Sequence, residues 1–189
     1  MVEAMNKEIF ENTVLAILKA RPGLGSVQLR KALIITDATY YALFGKSLTG
    51  AKYIKFPYGP VPDFDAFSLL NKMYYEENLI DIIEEAEGPV TKISYFAIKA
   101  PDPGVFNEEE DKIIRFAADI ALKYSASKLS DMTHDEVFNK TPMRGEIPLD
   151  RVCTVTFTGR LDTPNFTEEE KLELIKVLNL NEVAQYSFV

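Results

Sequence analysis

The chain has 189 residues, 47% of them apolar, and a formal net charge of −8 from 21 basic and 29 acidic side chains. That is one domain's length, too apolar to be disordered throughout, and no apolar run approaches the ~20 residues of a membrane span. One Cys and one His exclude an internal disulfide framework and a zinc site of the usual Cys/His kind. The first twenty residues do not read as a secretory signal, so a cytoplasmic protein without a cofactor is expected.

The charge is uneven. Residues 19–55 carry Lys19, Arg21, Arg30, Lys31, Lys46, Lys52 and Lys55 against the single acid Asp37, whereas residues 56–105 carry nine acids and three bases. An overall acidic chain is a poor non-specific nucleic-acid binder, but a local basic segment can meet an acidic partner.

Ile9, Phe10, Thr13, Val14, Ile17 and Leu18 recur at helical spacing and predict a helix over 6–20, ended by Pro22-Gly23. A second helix is expected from Ser26 to Phe44, with Leu29, Leu33, Asp37, Tyr40 and Phe44 near one stripe and Gly45 as a left-handed stop. Lys52–Phe56 reads as a short strand, and Tyr58-Gly59-Pro60-Val61-Pro62 as a tight, rigid turn. Asp63 caps a third helix whose buried face is expected to hold Phe64, Phe67, Leu70, Met73 and Tyr74.

A hairpin follows, 80–85 against 92–98, turning at Glu87-Gly88-Pro89. Asn107 with Glu110 forms a capping box for a long helix to about Tyr124, burying Ile113, Ile114, Ala117, Ile120 and Ala121. A short helix is expected over 127–132. Thr133 with Glu136 then reads as a second capping box, opening a helix that stops before Pro142. Beyond it, 152–158 alternates as a strand, and Thr167 with Glu170 caps a last helix containing Leu172, Ile175 and Leu178. The fold class is therefore α+β, helix-rich, with a small antiparallel hairpin or three-stranded sheet. Residues 1–150 form the domain and 151–189 a C-terminal appendage packed on it.

Catalytic chemistry finds little footing. Cys153 lies on the apolar side of its strand pattern, and His134 stands at a helix start. The acids cluster at helix N-termini, where they offset the dipole. Gly45-x-x-x-x-Gly50 lacks the Lys-Ser/Thr of a phosphate loop. Asp37 is a lone acid on the apolar side of its helix, suited to pairing with Arg30 or Lys31, to accepting backbone hydrogen bonds, or to contacting a partner. The element order is also that of a winged helix. The third helix and the hairpin, however, carry Asp63, Asp65, Glu76, Glu77, Glu84, Glu85 and Glu87, which repel a duplex.

Three segments carry a resemblance. Lys31-Ala32-Leu33-Ile34 with Asp37, then Phe44-Gly45 and a polar turn to Gly50, is followed by Tyr58-Gly59-Pro60-Val61 and by Leu129-Ser130-Asp131-Met132-Thr133-His134-Asp135-Glu136. In this order and spacing they resemble the Panacea domain family, the SocA-like antitoxin and phage-associated proteins. Ile34 departs from the family's aromatic, and Tyr40 from its His.

The resemblance implies no enzyme and no cofactor, but the antitoxin of a type II toxin–antitoxin module, or a related phage or mobile-element protein. Its partner is a cognate toxin, with a protease system as a further partner, and neither a membrane nor nucleic acid is expected. The rival reading is a winged-helix DNA-binding regulator. The family-motif positions are Asp37, Gly45, Gly50, Tyr58, Gly59, Pro60, Thr133, His134 and Glu136. The basic segment makes Lys31, Lys46, Lys52 and Lys55, beside Tyr58, the expected toxin-facing residues.

Overall fold

A computed structural model describes residues 5–134 and 136–149, with Glu169, Leu172, Lys176 and Leu178 of the C-terminal segment. The elements run α1 (Lys7–Ala20), α2 (Ser26–Phe44), β1 (Tyr53–Phe56), β2 (Gly59–Pro62), α3 (Phe64–Tyr75), β3 (Ile80–Glu87), β4 (Val90–Ala97), α4 (Glu108–Lys123), α5 (Ala126–Met132) and α6 (Glu136–Lys140). The fold is the expected helix-rich α+β, with two antiparallel hairpins in place of one. The expected 152–158 strand lies outside the described residues, as does most of the last helix. Leu178 of that segment is buried in a cluster with Tyr40, Leu43 and Ile113.

Helix α2 is the axis of the molecule. Its buried residues surround it on all sides, Leu29, Ala32, Leu33, Ile34 and Ile35 among them, as a helix does when other elements enclose it. It packs against α1, α4, α5, β2 and β4. It ends where expected, at Gly45 in the left-handed region with φ +69°. Several helix starts also follow the sequence. Asp63 accepts from the Ala66 amide at 3.1 Å, and Asn107 and Glu110 close their capping box at 2.9 and 3.0 Å.

Two local readings are corrected. Tyr58-Gly59-Pro60-Val61 is not simply a turn. Gly59–Pro62 forms strand β2, which pairs with β1 in the register Phe56↔Gly59 to Tyr53↔Pro62. Prolines fit there because β2 is an edge strand that has no further ladder to donate to. The other edge of β1 is covered by residues 144–147, through Lys55 N to Gly145 O at 3.0 Å and Ile147 N to Tyr53 O at 2.8 Å.

The second correction concerns α3. Phe64 and Phe67 face solvent, and the buried face is Ala66, Leu69, Leu70 and Met73. Ala66 and Met73 are fully buried. The two aromatics fall on the opposite side of the 100°-per-residue wheel.

Candidate functional site

The motif segments meet along α2 in two places. The first surrounds Asp37, which is completely buried. Its Oδ1 accepts from Ser47 Oγ at 2.8 Å and Thr49 N at 2.9 Å, and its Oδ2 from Thr49 Oγ1 at 2.6 Å and Tyr53 OH at 2.7 Å. Burial pushes the Asp37 carboxyl up, and these four donors offset only part of that, so it stays above the ordinary carboxylate value. The polar turn folds over it, with Gly50 at φ +71° and its amide donating to Ser47 Oγ. Of the roles open to Asp37, accepting hydrogen bonds from this turn is the one realised. Arg30 and Lys31 are not its partners.

The second meeting point joins Lys31, the 58–61 segment and the residues after α5. Lys31 is 1% exposed, and its Nζ donates to Pro60 O at 3.2 Å. Burial first, then the neighbouring Arg30 charge, pull its amine down to about 7. Gly59 has φ +105°, and a Cβ there would overlap the Lys31 ammonium and lie 2.6 Å from Thr133 Oγ1. Glycine is required both by that backbone conformation and by this close approach. Thr133 ends α5, its single hydroxyl proton shared between Ser130 O at 2.9 Å and Leu129 O at 3.1 Å. The expected capping box with Glu136 involves a side chain outside the described residues, whereas the Thr133 hydroxyl itself binds back onto the end of the preceding helix. His134 stacks on Phe138 with centroids 4.3 Å apart, and Lys55 Nζ lies 4.6 Å from the Phe138 centroid.

A small pocket of about 60 Å³ opens beside this junction, lined by Arg30, Lys31, Phe56, Tyr58, Pro60 and Val61 among others. Tyr58 forms its lip and is exposed. The expected single basic face is divided. Lys31 is inside, Lys55 donates to Asn139 O at 3.2 Å, and Lys52 pairs with Glu146 at 3.5 Å. Lys46 lies just beyond the far end of α2, fifteen residues from Lys31 and so about 22 Å along the axis. Arg30 belongs to the pocket, although among individual residues the sequence singled it out as a partner for Asp37 and not as a toxin-facing cation. The signal available was its place in a segment almost free of acids. The exposed aromatics of α3 were hidden by the assumption that large apolar residues point inward.

The motif residues thus act first as joints that fix loops to α2. Among the described residues no group of three His, Cys, Asp or Glu side chains is placed to hold a metal ion. A family model described as "Antitoxin SocA-like, Panacea domain" matches residues 29–137, more than half of the chain. The chain belongs to the Panacea domain family. The match begins inside α2 and ends within α6, so it spans both joints. Membership gives the chain a non-catalytic, antitoxin-type role, with a protein as its partner. No curated protein and no solved structure matches the chain. No described helix is long and apolar enough to cross a membrane.

Proposed function

We propose that this Panacea protein is the antitoxin of a type II module, acting in the cytoplasm and neutralising a protein toxin by direct binding. The observation that carries this reading is the aromatic surface. Phe64, Phe67 and Tyr75 are 71, 47 and 78% exposed, and Tyr58 at the pocket lip is 77% exposed. Positions 64, 67, 71 and 75 recur at three- and four-residue steps, so the three α3 aromatics share one outer stripe. Their burial in the core is already excluded by Ala66, Leu69, Leu70 and Met73 on the opposite face. Exposed aromatics in a row are the usual anchors of a protein interface.

The DNA-binding alternative would use the same helix and finds the wrong charge there. Asp65 and Glu76 are exposed, and Lys72 is held by Glu77 at 2.8 Å. Co-expression with the product of the neighbouring gene tests the proposal. Relief of that product's toxicity, with a complex that survives purification, is expected. Failure to bind, or tight salt-sensitive binding to duplex DNA instead, would overturn it.

A further inference from the structure

The pocket beside Tyr58 contains two basic side chains, Arg30 and Lys31, and no matching anion among the described residues. Lys31 is buried with one carbonyl bond. In its protonated form the amine has three donors, so two remain beyond the Pro60 bond. Arg30, one residue earlier, is partly buried and donates from Nε to Ser26 O at 2.9 Å. Among the described residues neither has a carboxylate partner. Buried cations are normally paired, because desolvation otherwise penalises the charged form. The walls are apolar and stiff, from Pro60, Val61, Phe56 and the Tyr58 ring. A cationic base under apolar walls is the complement of a short acidic side chain carried on an apolar segment.

We infer that the Arg30–Lys31 pocket receives a single Asp or Glu carboxylate of the bound toxin, with Arg30 as the direct contact and Tyr58 closing over the inserted side chain. This rests on the toxin-binding reading and deepens it. Arg30 presents a planar fork of donors suited to a carboxylate. Lys31 lies in the wall and supplies a second positive charge close to it. Insertion would give Arg30 a counter-charge that no described residue supplies and would favour the protonated form of Lys31.

Two experiments separate this inference from the toxin-binding reading. The first uses the isolated full chain and N-acetylglutamic acid α-amide, which has one carboxylate, with the uncharged N-acetylglutamine amide as control. A saturable shift of the Arg30 Nε–Hε NMR resonance and of the Lys31 backbone amide is expected with the acid and none with the control, and in Arg30→Gln the Lys31 backbone amide is expected to show no saturation. The absence of a saturable shift overturns the pocket. Inorganic phosphate saturating it at lower concentration than the carboxylate also overturns it, in favour of a free-anion site.

The second experiment uses the complex with the co-expressed partner. Arg30→Gln, shown by circular dichroism to be folded, is expected to weaken the complex at least tenfold, and Arg30→Lys to recover part of that loss. Wild-type affinity in Arg30→Gln would overturn the inference. If the wild-type chain binds no toxin, the antitoxin reading fails, and with it the assignment of the carboxylate to a toxin, even where the NMR titration finds a pocket.

Discussion

The Tyr53 hydroxyl donates to the Asp37 carboxylate at 2.7 Å, and neither side chain has any solvent exposure. Tyr53 opens β1 and Asp37 lies in the middle of α2, so this bond ties the first hairpin to the central helix. Hydrogen bonds to a charged group contribute about 1.5–3 kcal/mol each, and leaving their donors unpaired in the interior costs as much again. Tyr53→Phe is expected to lower unfolding free energy by about 2 kcal/mol. Asp37→Asn should cost more, about 3 kcal/mol, because its NH₂ group replaces an oxygen that accepts two hydrogen bonds and the remaining oxygen carries no charge. Urea denaturation midpoints at constant m-value check both, and a loss below 1 kcal/mol for Asp37→Asn would contradict the burial seen here.

Lys31 gives stability a pH dependence of definite sign. Its amine titrates near 7 in the folded protein against 10.5 ordinarily. Between those values the unfolded chain holds a proton that the folded chain does not, so folding is favoured as pH rises. The contribution is fully present above the ordinary value and is lost as pH falls through about 7. Relative to Lys31→Met, wild-type stability is therefore expected to climb between pH 7 and 9, by at most about 1.4 kcal/mol per pH unit. Parallel curves for the two proteins would show that Lys31 keeps its charge throughout.

Gly59 and Lys31 compete for the same space. Gly59→Ala imposes a Cβ at φ +105° and pushes it into the Lys31 ammonium. The backbone strain alone costs about 1–3 kcal/mol. The overlap adds to it, so the substitution is expected to be less costly in a Lys31→Ala background than in the wild type. A double-mutant cycle by thermal or urea unfolding reads this coupling, and strict additivity would deny the contact.

Much of the fold is legible in the sequence because it rests on local signals. Asp63, Asn107 with Glu110, and Gly45 mark helix ends by chemistry that acts over three or four residues. The joints are less legible. Asp37 stands out as a lone acid, but its donors come from a turn and from the start of β1, ten to sixteen residues later, and nothing in α2 names them. Lys31 reads as a surface charge in a basic segment, and only the tertiary approach of Pro60 and Thr133 buries it. Phe64 and Phe67 mislead for the opposite reason. Periodicity finds a stripe of large apolar residues, and the smaller Ala66 and Leu69 take the core.

That exposed stripe yields a last prediction. Because Phe64 and Phe67 lie outside the core, Phe64→Ser with Phe67→Ser is expected to change folding stability by less than about 1 kcal/mol. Interface anchors lose about 2 kcal/mol or more on truncation, so the same double variant should weaken the toxin complex roughly thirtyfold or more. Lys46→Glu, at the far end of α2, should leave the affinity within about twofold, since a lone solvated charge away from the interface contributes little. Binding measured at physiological salt with the co-expressed partner decides between them. Should the Phe variants bind as wild type while Lys46→Glu does not, the toxin sits on the Lys46 end of α2, near Tyr40 and Leu178, and the aromatic stripe has some other partner.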